Sequence, residues 1–85
     1  MKAWWSEVDR GQPRGTRALV TEVDEGTYAI VVLGGALRRA RTELFRGRLE
    51  QARARADAIT GETVGRRVRG DWREATELRA ALGAA

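Results

Sequence analysis

The sequence predicts an α+β fold, a small antiparallel β-meander of three to four strands followed by one or two α-helices packed on the sheet. Three observations point there. From the N-terminus to about residue 45, the chain reads as short strand-like runs, alternating apolar and polar over Thr16–Asp24 and apolar on both faces over Thr27–Leu33. Short glycine-containing turns divide that stretch into segments. Beyond residue 45 the apolar spacing changes to steps of three and four, the period of a helix. At 85 residues the chain is expected to be a single small α+β domain over 1–85, with room for one core and one simple site.

The elements follow in order. Ala3–Asp9 holds Trp4 and Trp5 and reads as an opening strand or a ragged helical turn, the tryptophans and the following turn favouring strand. Arg10–Gly15 contains the only proline and two glycines, a turn. Thr16–Asp24 alternates Leu19 and Val23 on one face with Ala18, Val20 and Glu22 on the other. Asp24-Glu25-Gly26 is a hairpin signal. Thr27–Leu33 is apolar on both faces, which predicts a central strand covered on both sides. Gly34-Gly35 signals a second hairpin. Ala36–Phe45 has no cleanly apolar face, as expected of an edge strand.

Phe45, Leu49, Ala52, Ala56 and Ile59 form a helical stripe. Gly47 disfavours helix before residue 48, so the helix is expected to start near Arg48 and to end at Gly61. Glu62–Gly70 reads as a basic loop, with room for a short extra strand. Asp71, three residues before Glu74, resembles a capping box, and Trp72, Ala75, Leu78 and Leu82 continue as a second helix to Gly83. One helix covers only one sheet face. The second helix, the N-terminal tryptophans or a second copy in a homodimer must cover the other.

The net charge is +4, and residues 34–56 account for it: seven arginines there face only Glu43 and Glu50. Those seven are Arg38, Arg39, Arg41, Arg46, Arg48, Arg53 and Arg55. Arg66, Arg67 and Arg69 add a basic loop. Such a patch suits an acidic protein surface, a nucleoprotein complex or DNA itself. The competing explanation is residue usage: Lys2 is the only lysine and asparagine is absent, so arginine is the default cation. On the helix, Arg46 and Arg53, and Arg48 and Arg55, are each seven apart and would align as a stripe, with intermittent pairing to Glu50 and Asp57. Trp4 and Trp5 must face opposite ways on a strand. One is therefore a candidate aromatic anchor for a partner. Trp72 is expected to dock the second helix.

Catalysis is poorly supplied. The chain has no histidine and no cysteine, and Ser6 is its only serine. That removes the usual activating base, the usual nucleophile pairings and the commonest metal ligands. Asp24/Glu25 and Asp71/Glu74 sit at a turn and a helix start, where structural roles suffice. No glycine pattern forms a phosphate loop. No enzyme activity, cofactor or metal is expected. No apolar run approaches the ~18 residues of a membrane span, and the first residues lack a signal-peptide core, so a cytoplasmic location is expected.

The order of a three-stranded meander and then a helix, over about residues 16–60, is similar to the DNA-binding modules at the N-termini of phage integrases, which read the major groove with the sheet. The likeness is one of topology, with no shared residue motif. The chain also looks like the short accessory proteins of phages and mobile elements, a class that includes the anti-CRISPR inhibitors. What these resemblances imply is a non-enzymatic binding protein. It would block or modulate a nucleic-acid-handling complex through its arginines, or contact DNA phosphates with the same residues.

Overall fold

The computed structural model describes residues 1–8, 15–34 and 39–83. It contains strands β1 (Ala3–Val8), β2 (Thr16–Asp24), β3 (Thr27–Gly34) and β4 (Arg39–Arg46), helix α1 (Leu49–Val64), strand β5 (Arg73–Ala75) and helix α2 (Leu78–Gly83). The strands form one antiparallel sheet in the order β4-β3-β2-β1-β5. The α+β class, the meander and the helix on the sheet are as the sequence predicts. The turn expected over residues 10–15 lies mostly outside the described residues, as does the hairpin expected at Gly35.

Alternation explains the two layers. Trp4, Ala18, Val20, Tyr28, Ile30 and Val32 point to one face and pack against Ala52, Ala56 and Ile59 of α1. The alanines let the helix lie close to the sheet, and Ile30 and Ile59 are almost wholly buried. Burying such a side chain contributes about 1.5–3 kcal/mol. The opposite face carries Ala3, Trp5 and Leu19 under Ala81 of α2. Helix α2 contacts β1, β2 and β5, so it covers one end of that face.

Four expectations need correction. The central strand is β2, not Thr27–Leu33. In β3, Tyr28, Ile30 and Val32 are buried, but Ala29, Val31 and Leu33 are only half-buried, because α2 stops short of them. The first helix runs through Gly61 to Val64 and is capped by Gly65, whose φ of 76° is left-handed. Gly61 serves a close approach instead: a Cβ there would lie 2.8 Å from the Arg66 carbonyl oxygen as the chain turns back. The helix expected from Asp71 is divided. Its first half pairs with β1 as β5, with Ala3 opposite Ala75 and Trp5 opposite Arg73, and only Leu78–Gly83 is helical. The exposed N–H and C=O groups along β1 favour a strand partner, and that pairing outweighs the local capping pattern.

Candidate functional site

The arginines divide into structural and outward groups. In the β3–β4 register, Glu43 lies opposite Ile30 and Arg41 opposite Val32. Both therefore share the sheet face that carries α1 and reach its side chains. Arg55 of α1 donates from Nε (2.7 Å) and Nη2 (2.9 Å) to the two carboxylate oxygens of Glu43. Arg41 donates from Nη1 to Glu62 at 2.5 Å. The hydrogen bond from Arg55 holds the Glu43 carboxyl below its ordinary range, and the one from Arg41 does the same for Glu62. The seam between β4 and α1 is thus a ladder of alternating charge. Two of the arginines read as a binding patch belong to it.

Arg53 is also occupied. Its guanidinium lies 5.7 Å from the centre of the Trp4 ring, and its Nε is buried without a hydrogen-bond acceptor. Arg46 ends β4 and Arg48 precedes α1, so the expected Arg46/Arg53 and Arg48/Arg55 stripes do not form. Arg48 meets Glu50 only at 4.0 Å, with both side chains mostly exposed. No ion pair of Asp57 with Arg53 or Arg55 is seen among the described residues. Arg66, Arg67 and Arg69 are exposed just after α1. Arg66 and Arg67 line an open groove of about 510 Å³ with Glu62, Asp57 and Val68. Among the described residues Arg46, Arg67 and Arg69 make no ion pair. Arg38 lies outside the described residues, and Arg39 begins β4.

The two candidate aromatic anchors are core side chains. Trp4 is 7% exposed and Trp5 6%, on opposite faces as alternation requires. Trp72 lies in the segment before β5, half-buried against the α1 side of the core, and its Nε1 donates to Asp57 Oδ1 at 3.2 Å. It docks the returning chain on α1 and not, as expected, the second helix.

Asp57 sits beneath that contact. Burial pushes its carboxyl above the ordinary range, and the bonds from the Gly70 N–H and the Trp72 indole only partly oppose this. A folded carboxyl that is harder to ionise than the unfolded one binds more protons in the native state, so its contribution to stability falls as pH rises through that window. Asp57→Asn should remove this dependence. The melting temperature of the variant relative to wild type is expected to be highest at neutral pH and to fall as pH drops toward 4. A constant difference across the series would show that Asp57 is charged equally easily in both states.

The sheet face opposite α1 has a different character over β3 and β4. Ala29 lies opposite Leu44, Val31 opposite Thr42 and Leu33 opposite Ala40, so none of the six is charged. Leu44 is 70% exposed. Sequence reasoning passed over Leu44 because β4 showed no clean apolar face. The register with β3 sets Ala40, Thr42 and Leu44 beside Leu33, Val31 and Ala29, while Phe45 turns to the α1 side opposite Tyr28. No match was found when the chain was compared with protein-family models, with curated proteins and with solved structures. Among the described residues no helix is long and apolar enough to cross a membrane, and no cluster of acidic side chains could hold a metal ion.

Proposed function

We propose that this chain is a non-enzymatic binding protein. It docks on an acidic surface of a nucleic-acid-handling complex and blocks or modulates it, as small phage and mobile-element inhibitors of the anti-CRISPR kind do. One observation supports this above others. The arginines in the middle of the β4–α1 seam are neutralised by Glu43 and Glu62, whereas Arg46 before α1, and Arg67 and Arg69 after it, carry no ion pair among the described residues. The chain turns back along α1 after Gly65, bringing the Arg66 carbonyl against Gly61 and the Gly70 N–H to Asp57, so Arg67 and Arg69 flank the second half of the helix while Arg46 precedes its start. Two separate cationic points suit discrete acidic groups on a folded partner.

Direct DNA binding through the same arginines is the second reading, favoured by the arginine excess itself. The groove-reading sheet of the phage integrase modules has no counterpart on the β3–β4 face, whose central residues are uncharged.

The test reverses charge while leaving the Arg41–Glu62 and Arg55–Glu43 pairs intact; the only pair it touches among the described residues is the exposed 4.0 Å contact of Arg48 with Glu50. Arg46→Glu with Arg48→Glu, and Arg67→Glu with Arg69→Glu, are expected to abolish capture of the partner from the native host's lysate. Exposed positions change stability by no more than about 0.5 kcal/mol each, so melting should barely move. A protein partner predicts rescue by reversing its matching acidic residues, and little affinity of the wild type for random duplex at low salt. Steep, salt-sensitive duplex binding lost in both variants establishes the DNA reading instead. Full partner capture by both variants overturns the arginine surface altogether.

A further inference from the structure

The free edge of β4 is self-complementary in one register. This strand ends the sheet on its side, so half of its backbone N–H and C=O groups face outward without a strand partner. Helix α1 packs over β2 and β3 and does not roof the edge. We propose that a second copy of this chain pairs antiparallel with β4 about a two-fold axis at Thr42, making one continuous ten-stranded sheet.

Opposite residues of an antiparallel pair share a face, so a two-fold β4–β4 pairing can centre only on a residue, not between two. Centring on Arg41 sets arginine against arginine. Centring on Glu43 sets carboxylate against carboxylate. Centring on Thr42 sets Arg41 against the Glu43 of the second copy, twice by symmetry, and Ala40 against Leu44. Like charges directly opposite are destabilising and unlike charges stabilising, so the strand both admits this register and rejects its neighbours.

The in-chain ladder strengthens the match. Arg41 already holds Glu62, and Glu43 already holds Arg55. Pairing in this register joins them as Glu62, Arg41, Glu43 and Arg55, with the last two from the second copy. The four charges alternate in sign without a break. On the other face, Leu44, 70% exposed in the single chain, gains Ala40 of the second copy as its cross-strand neighbour. Arg46 ends the same strand but lies outside the Ala40–Leu44 span that sets this register, and Arg48, Arg67 and Arg69 lie off the strand, so the charge swap at Arg41 and Glu43 tests this proposal apart from the proposed function.

The experiment is a charge swap read by sedimentation and light scattering over a concentration series. Wild type is expected to dimerise. Arg41→Glu alone and Glu43→Arg alone should each weaken self-association by about tenfold or more, because each converts two attractive pairs into two repulsive ones. Mixing the two variants should restore a heterodimer: the introduced glutamate of one copy then faces the introduced arginine of the other, and the second pair keeps its native Arg41 and Glu43. Circular dichroism of each variant confirms that its monomer is folded. A wild type that stays monomeric at all concentrations overturns the proposal. So does a dimer that survives both single substitutions, which would place the contact on the uncharged β3–β4 face instead.

Discussion

Replacing Trp4 with alanine is expected to lower the unfolding free energy by about 3–5 kcal/mol, the range for removing a buried aromatic side chain. Small domains have only about 5–15 kcal/mol in total. The variant should therefore melt far below wild type. Trp4 lies between β1 and α1, 7% exposed, with its ring edge-on to Tyr28 at a centroid distance of 6.3 Å. The ring also supports the Arg53 guanidinium. No smaller side chain on α1 fills the space, because the facing helix positions are Ala52 and Ala56. Urea titration with an unchanged slope would place the loss in the native state. Trp72→Ala should cost less, since that ring is only half-buried. Partner affinity per folded molecule should hold for both. If Trp4→Ala leaves the melting temperature unchanged but abolishes partner binding, the ring is an anchor and not a core residue.

What was legible in the sequence follows where local pattern and tertiary context agree. Thr16–Asp24 is a strand with the residue bounds that its alternation indicates, because a central strand is buried by residues of both neighbours and its pattern is strong. The edge position of β4 was legible too, from the absence of an apolar face. Residues 71–75 were not. Asp71 and Glu74 carry a helix-start signal, but the backbone of β1 offers a ladder that the local sequence does not encode. Gly61 and Gly65 both fit a helix end. Only the return of the chain at Arg66 decides between them.

The arginine patch was the least legible part of the site. Counting charges along residues 34–56 locates the excess, but pairing depends on which carboxylates the fold brings near. Glu43 is two residues from Arg41 in sequence and is bound instead by Arg55, twelve residues away. Glu62 lies beyond the counted segment and neutralises Arg41. Arg17 drew no notice at all, standing as one polar residue on a strand.

Arg17→Ala is nevertheless expected to release α2. The Arg17 Nη1 donates to the carbonyl oxygens of Ala81 (2.9 Å) and Leu82 (3.0 Å), and Nη2 donates to Glu7 Oε2 at 2.8 Å. Its guanidinium also lies 4.6 Å from the centre of the Trp5 ring. Helix α2 has six residues and no basic side chain in its last turn. Isolated helices below about 12–15 residues are marginal in water, so α2 depends on its docking. The guanidinium satisfies carbonyls left open at the helix end and places positive charge at the negative pole of the helix. Losing it should cost about 1.5–3 kcal/mol, the range for hydrogen bonds to a charged group. The loss should be local: amide exchange in Leu78–Gly83 accelerates, and proteases gain access beyond Ala75, while the α1 side of the core keeps its protection. Arg17→Lys should recover little, because an ammonium cannot span two carbonyls and a carboxylate with one planar fork. Unchanged exchange in α2 in both variants would show that burial of Ala81 and the Trp5 contact alone hold the helix.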